Sequence, residues 1–310
     1  MNKKFRIAIA GIGGVGGFIG GKLAARFKPG GDIEIIFIAR GENERVIKAR
    51  GLKLITSDGE HVVYPSVVTH DTQEVGAIDL VIVCTKSYDL ENIIYQLSPC
   101  IDKNTIILPL LNGVDSKERI QNILPGNTVP DGCVYIVSRL KQPGVIENSG
   151  NIQTLFFGQD HINEKLLHLE RLFKEANIEA TLSDNIKTII WEKYIFISAI
   201  ATATSYFNQS IGHLLADKEK LKVVTSLIKE VKQVASAKKI IVAEDITEKT
   251  LHRLKALPFE TTSSMHSDFL NNKPVTESGS LTRYVIEEGG KHNIATPTYK
   301  MAYEKLKGKS

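Results

Sequence analysis

The stretch Phe5-Arg6-Ile7-Ala8-Ile9-Ala10 runs directly into Gly11-Ile12-Gly13-Gly14-Val15-Gly16 near the start of the chain. The largely apolar run reads as a strand buried on both faces. The G-x-G-x-x-G spacing after it reads as the turn from that strand into a helix, here Gly17 to Phe27. In such a turn Gly11 permits the sharp bend, Gly13 lets the backbone approach a pyrophosphate, and Gly16 lets the helix pack closely on the sheet. The helix N-terminus offers unpaired N–H groups and a partial positive charge to the phosphates. Ile12, Gly14 and Val15 complete the loop and are counted with it as cofactor-binding. A glycine-rich turn without a ligand would use the same letters; the flanking strand and helix favour a dinucleotide.

Working outward, Pro29-Gly30-Gly31 is a turn, and Ile33 to Ala39 is a second, almost wholly apolar strand. Asp79 to Cys84 and Thr105 to Leu111 are two more apolar runs of strand length. Apolar strands alternating with helical segments predict a parallel sheet covered on both faces. Gly51 to Val68 reads as a hairpin around Ser57-Asp58-Gly59. Gly132 to Phe157 reads as an antiparallel pair turning at Gln142-Pro143-Gly144. Both are expected as strands added beside the parallel core. From about residue 185 the periodicity changes: Ile186 to Ser205, Lys218 to Lys238, Thr247 to Leu254 and Glu277 to His292 read as helices. The expected fold is α/β, an N-terminal Rossmann-type doubly wound sheet with a C-terminal all-helical domain. The expected division is residues 1–183 for the nucleotide-binding domain and 184–310 for a helical substrate and dimerisation domain.

Bulk composition sets limits. The chain has 310 residues and a net charge of +4, from 39 basic and 35 acidic side chains. That balance, with no dense basic run, argues against nucleic acid and is compatible with an anionic small ligand. Cys84, Cys100 and Cys133 show neither metal nor disulfide spacing, so a reduced, cytoplasmic setting is expected. Lys3-Lys4 before an apolar run imitates a secretory leader, but seven glycines lie between Gly11 and Gly21 and no cleavage site stands out. Tyr194 to Ala216 carries no Asp, Glu, Lys or Arg, yet its Ser, Thr, Asn, Gln and His content favours a buried helix plus a loop over a membrane span.

Two side chains point to chemistry. At the end of the second strand an acidic residue would select NAD by accepting from a ribose hydroxyl. Ala39-Arg40-Gly41 stands there instead, and an arginine can pair with the 2′-phosphate of NADP. The lesser alternative for Arg40 is a solvated loop residue. Glu42 and Glu44 would repel a 2′-phosphate and are not assigned to it. Lys193 lies in an apolar helix, with Ile189, Ile190, Ile197, Ile200 and Ala201 as its neighbours on that face. Such a lysine snorkels, finds a carboxylate such as Glu192, or faces a cleft, where burial would make it a better proton donor. The residues alone leave these choices open. This helix is more apolar than one lysine-lined cleft needs, so part of it is expected to form a homodimer interface.

In their order and spacing, several motifs together resemble the ketopantoate reductase family, the 2-dehydropantoate 2-reductases, along almost the whole chain. They are Gly11 to Gly16, Arg40, Thr85-Lys86, Leu111-Asn112-Gly113, Pro143-Gly144-Val145, Trp191-Glu192-Lys193, Ser263-Ser264-Met265 with Asp268, and Glu277. The resemblance implies NADPH-dependent reduction of ketopantoate to pantoate, a step toward coenzyme A. It implies Lys193 as the general acid, Asn112 beside nicotinamide and substrate, Lys86 on the cofactor side, Ser264 on the substrate carboxylate, and Glu277 positioning substrate or lysine. No metal is expected, since neither the cysteines nor the histidines show metal-ligand spacing. There are departures. The family usually places asparagines four and eight residues after the lysine, where this chain has Ile197 and Ala201. Gln is common three residues after the cofactor-side lysine, where this chain has Asp89. The Asp268–Glu277 spacing is one residue longer than usual. A related reductase acting on another 2-oxo or β-keto acid is therefore the alternative substrate assignment, and a non-catalytic NADP-binding sensor the distant one. Taken residue by residue, Asn112-Gly113 also suits a plain turn, Lys86 a surface strand end, Ser264 a helix N-cap and Glu277 a helix start. His213, His266 and His292 read as structural, and Cys84 as core.

Overall fold

The computed structural model describes residues 4–307. The chain divides into two compact units. One is Met1–Leu111 with Ser116–Ile186; the other is Asn112–Asp115 with Lys187–Ser310. The first holds β1 (Phe5–Ala10), α1 (Gly14–Arg26), β2 (Ile33–Ile38), α2 (Gly41–Arg50), β3 (Leu52–Thr56), β4 (Gly59–Val63) and β5 (Val67–Thr69). It continues with β6 (Ile78–Val83), α3 (Leu90–Leu97), β7 (Ile101–Pro109), α4 (Ser116–Ile123), β8 (Asp131–Gln142), β9 (Val145–Gly158), α5 (Glu164–Glu175) and β10 (Glu179–Leu182).

The first sheet is parallel throughout, in the order β5-β2-β1-β6-β7. Its apolar runs are explained by alternation of side chains across two buried faces. Ile7, Ile9, Ile35, Phe37, Leu80 and Ile82 join one core with α1 and α5. Ala8, Ala10, Ile36, Ile38, Val81 and Val83 join the other, against α3 and α4. Helix α3 meets that face with Leu90, Ile93, Ile94 and Leu97, the i, i+3, i+4, i+7 stripe of an amphipathic helix.

The remaining strands correct one expectation. They do not extend the parallel core but form their own sheet, β10-β9-β3-β4, with β8 paired to β9. The hairpin turns between Thr56 and Gly59 as the sequence indicates, but its return strand ends at Val63. Val67–Thr69 leaves it to pair with β2. The second sheet lies against α1: a Cβ on Gly17 would fall 2.4 Å from Ile146 Cδ1. The glycines of α1 beyond the turn therefore admit a sheet.

The second unit is helical: α6 (Ile186–Phe207), α7 (Ile211–Ala216), α8 (Lys218–Ala237), α9 (Ile246–Lys255), α10 (Ser264–Leu270), α11 (Tyr284–Lys291) and α12 (Pro297–Leu306). Tyr194, Ile195, Ala199, Ile200 and Ala203 of α6 pack with Val224, Leu227 and Val231 of α8 and Tyr299 of α12. The chain itself thus buries most of the apolar face of α6, while Ile189, Phe196, Ile197 and Phe207 stay partly exposed. Buried Glu230 of α8 accepts the Thr298 and Tyr299 N–H groups at 2.9 and 3.1 Å, supplying the N-terminus of α12 with an acceptor. The expected helix from Glu277 starts later: Gly279–Arg283 is a π-helical turn leading into α11. Among the described residues no helix is long and apolar enough to cross a membrane.

Candidate active site

At the end of β1 the chain turns through Gly11, whose φ of +96° suits glycine. Gly16 sits so close behind it that a Cβ would lie 2.1 Å from the Gly11 carbonyl oxygen. Gly13 is the N-cap of α1, with no side chain capping the helix and no acidic residue in its first turn. A Cβ on Gly13 would meet nothing within 4 Å. Open space in front of uncapped helix N–H groups is what a pyrophosphate requires, so these residues fit the phosphates of a dinucleotide.

Two residues that the sequence reading missed hold this loop. Asn43 in the first turn of α2 donates from Nδ2 to the Ile12 carbonyl (2.9 Å) and accepts the Gly144 N–H on Oδ1 (2.7 Å). Ser138 of β8 donates to the Gly14 carbonyl (3.0 Å). Nothing in the letters links positions 43 and 144; only the β8–β9 turn brings them together. Asn43→Ala removes both bonds and leaves two main-chain groups to be resatisfied. It should lower unfolding free energy by about 1–3 kcal/mol and weaken NADP+ binding, read by urea unfolding and calorimetric titration.

Arg40 occupies the N-cap position of α2, exposed, with Nη2 3.1 Å from Asp89 Oδ2. Lys86, half-buried, precedes the short 3-10 turn Ser87–Asp89. Arg119 steadies that turn by donating to the Ser87 carbonyl (2.6 Å) and to both Glu91 carboxylate oxygens (2.6 and 2.7 Å). Glu42 pairs with Arg45. Against burial, which pushes it up, Lys48 and His70 hold the Glu44 carboxylate below its ordinary range, each 2.7 Å away. Burial pushes the Cys84 thiol up to about 12, so it is no thiolate nucleophile near neutral pH.

In the second unit α6 carries Lys193, 8% exposed, with Nζ donating to Asn112 Oδ1 at 3.3 Å. Asn112 reaches it because Asn112–Asp115 belongs to this unit, with Val114 packed in its core. The flank of the lysine is apolar: Ile190, Ile200 and Ala201 are buried and Ile197 half-buried. Glu192 accepts the Ala243 N–H at 3.1 Å.

Glu277 is 3% exposed, just before the π-helical turn, and its carbonyl accepts from the Leu281 N–H (2.9 Å) and Ser280 Oγ (3.2 Å). Three hydroxyls of α6, at i, i+4 and i+8, anchor that turn. Tyr194 donates to the Ser280 carbonyl (2.7 Å), Ser198 to the Leu281 carbonyl (2.6 Å), and Thr202 pairs with Thr282 (2.9 Å). A π turn misaligns carbonyls from their helical donors, and the Tyr194 and Ser198 hydroxyls satisfy two of them. The same helix thus carries the lysine and fixes the segment following Glu277. The hydroxyls at 194, 198 and 202, spaced by four, are a visible signal in a largely apolar helix. Ser264 lies exposed in the first turn of α10, and the cap is Ser263, whose Oγ accepts the His266 N–H at 3.0 Å. That corrects the N-cap reading of Ser264 and leaves its hydroxyl available for a ligand. Among the described residues no group of three or more His, Cys, Asp or Glu could hold a metal ion.

The family described as Ketopantoate reductase PanE/ApbA matches residues 7–161, and its C-terminal counterpart matches residues 185–310. The crystal structure of 2-dehydropantoate 2-reductase from Porphyromonas gingivalis W83 is 34% identical with a TM-score of 0.85, over 98% of this chain and 99% of that one. The uncharacterized oxidoreductase YkpB of Bacillus subtilis strain 168 is 28% identical over 303 residues, 97% of each chain. A ternary structure of D-mandelate dehydrogenase with NADH and anilino(oxo)acetate is 25% identical with a TM-score of 0.85, over 98% of each chain. With both halves of the family matched and a glycine turn suited to a dinucleotide, the chain belongs to the ketopantoate reductase family and is an NADP-dependent oxidoreductase.

Proposed function

We propose that this enzyme reduces ketopantoate to pantoate with NADPH, a step in pantothenate and coenzyme A synthesis, with Lys193 as the general acid. The observation that carries the reading is the buried Lys193 ammonium hydrogen-bonded to Asn112 on an apolar helix. When bound, the nicotinamide supplies the hydride that reduces the ketone carbon. Negative charge then builds on the ketone oxygen. Lys193 Nζ stabilises it in a low-dielectric setting, where such an interaction is stronger than in water, and donates its proton to complete the alcohol. The amine left behind regains a proton from solvent. Asn112 orients the ammonium and the carbonyl, Glu277 positions substrate and lysine, and Ser264 donates to the substrate carboxylate. Gly11 to Gly16 hold the pyrophosphate, while Arg40 and Lys86 meet the cofactor's remaining phosphate charge. In this reading the first unit is the nucleotide-binding domain and the second the substrate domain.

One observation favours a second reading, a different 2-oxo acid. Ile197 and Ala201 flank the lysine where two amides would otherwise meet substrate hydroxyl and carbonyl groups. Each missing hydrogen bond removes about 1 kcal/mol of discrimination. The mandelate dehydrogenase relative holds anilino(oxo)acetate, an oxo acid with an aromatic group. NADPH oxidation with a panel of 2-oxo acids separates the two. Highest kcat/KM for ketopantoate supports the first reading. Negligible ketopantoate turnover with ready reduction of aryl or branched-alkyl 2-oxo acids transfers the assignment to the second, and no turnover of any member overturns both. Three free cysteines accord with a cytoplasmic setting. A homodimer belongs to the same proposal. With most of α6 covered, exposed Ile241, Phe259, Leu270, Val275 and Met301 are further apolar side chains of the second unit available to it, and light scattering giving a monomer rejects it.

A further inference from the structure

We infer that Asp89 is a specificity-determining residue for the cofactor: its ion pair with Arg40 weakens recognition of the 2′-phosphate, so that the enzyme accepts NADH as well as NADPH. The inference rests on the assignment of Arg40 to the 2′-phosphate.

The geometry begins with an aspartate that does not do what its position suggests. Asp89 occupies the N-cap of α3, where a carboxylate ordinarily accepts the helix N–H groups. Its side chain makes no such cap. It turns instead to Arg40, 49 residues away, and takes one guanidinium nitrogen at 3.1 Å. The loop that bears it is held firmly. The Asp89 N–H donates to the Lys86 carbonyl (2.9 Å), and Arg119 clamps Ser87 and Glu91 on either side. The backbone that carries the carboxylate is therefore held in place, and from it the Asp89 side chain reaches Arg40.

A guanidinium recognises phosphate best through two parallel N–H donors. Asp89 occupies part of that fork before the cofactor arrives. A 2′-phosphate carrying between one and two negative charges must then share Arg40 with a carboxylate and sit near it, which like charges oppose. A ribose 2′-hydroxyl has the opposite relation to Asp89. It carries no charge and can donate to a carboxylate, the contact by which acidic residues favour NAD. The pair sets the phosphate-binding group and the hydroxyl-binding group side by side, which narrows the preference between the two cofactors.

The test uses the full chain and isolates the adenosine end with two probes, 2′,5′-ADP and 5′-AMP, by calorimetric titration. NADP+ and NAD+ are titrated in parallel. Asp89→Asn should tighten 2′,5′-ADP and NADP+ about tenfold, the equivalent of one unit charge removed a few ångströms from a phosphate. It should leave 5′-AMP within about twofold. The gain should shrink as salt is raised, because the pair is exposed. Arg40→Ala is the companion variant and should weaken 2′,5′-ADP while sparing 5′-AMP. If Asp89→Asn leaves 2′,5′-ADP unchanged or weaker while Arg40→Ala weakens it, the role of Asp89 is overturned and the assignment of Arg40 stands. If Arg40→Ala leaves 2′,5′-ADP unchanged, the assignment of Arg40 falls, and the role of Asp89 falls with it.

Discussion

Lys193→Ala is expected to lower kcat by about 10²–10⁴-fold, the usual contribution of a positioned general acid, while NADP+ affinity stays within about twofold. The split follows from where the lysine is. It belongs to the helical unit, whereas the glycine turn, Arg40 and Lys86 belong to the other, so cofactor contacts survive its removal. A lysine retained only for packing predicts a different pattern. Its stem, at helical spacing from Ile197 and Ile200, would then serve packing, and truncation would cost stability more than rate. Lys193→Met separates the two by keeping an unbranched stem without the ammonium. It should match the alanine variant in kcat and the native protein in unfolding free energy. Lys193→Arg keeps the charge on a group that does not give up its proton. It should recover part of the electrostatic stabilisation and little of the proton transfer, so its kcat should fall between native and alanine. Native kcat in the methionine variant would remove Lys193 from the chemistry. So would a loss of NADP+ binding that accounts for the whole rate deficit.

What could be read from the sequence follows from how local each signal is. Strands β1, β2, β6 and the second half of β7 are largely apolar runs, so they show without knowledge of their neighbours, whereas the exposed Asp102-Lys103-Asn104 start of β7 carries no such signal. The Ser57-Asp58-Gly59 turn is equally local, and β3 and β4 pair across it. The second sheet was not legible as a sheet. Its parallel seam joins Lys53–Ile55 to Val145–Glu147, and no periodicity records which distant strand a strand adopts. The glycines of α1 carry two functions in one run. The fingerprint spacing marks the turn at Gly11 to Gly16, while the packing of Gly17 against Ile146 depends on a strand distant in sequence. The lysine shows the same limit. Its apolar surroundings were visible at helical spacing, but Asn112 is 81 residues away and meets it through a four-residue segment, Asn112–Asp115, that belongs to the second unit. The family motifs supplied that pair, and geometry then gave it a distance. The π turn after Glu277 had no sequence signal beyond the hydroxyls on α6, because a widened turn is set by packing rather than propensity.

Gly16→Ala and Gly13→Ala should fail in opposite ways. At Gly16 a Cβ falls 2.1 Å from the Gly11 carbonyl oxygen and 2.8 Å from Cys84 Cβ. The first contact is backbone of the turn itself and cannot rotate away. Either α1 must lift from the sheet or the turn must open. Overpacking a buried seam costs about 1–3 kcal/mol and more where backbone is the obstacle, so this variant should show a large drop in unfolding free energy with NADP+ binding lost. At Gly13 the backbone is extended, a conformation alanine adopts, and the added methyl meets no protein atom within 4 Å. Stability should hold within about 0.5 kcal/mol, the usual span for a substitution without steric conflict. The methyl projects into the open space proposed for the pyrophosphate, so NADP+ affinity should fall at least about tenfold, the result of losing roughly 1.4 kcal/mol of phosphate contact. Urea unfolding paired with calorimetric titration reads both quantities on each variant. If Gly13→Ala binds NADP+ as tightly as the native chain, the phosphates do not lie at this turn. If Gly16→Ala folds as stably as the native chain, the close seam between Gly11 and α1 is not what makes glycine necessary there.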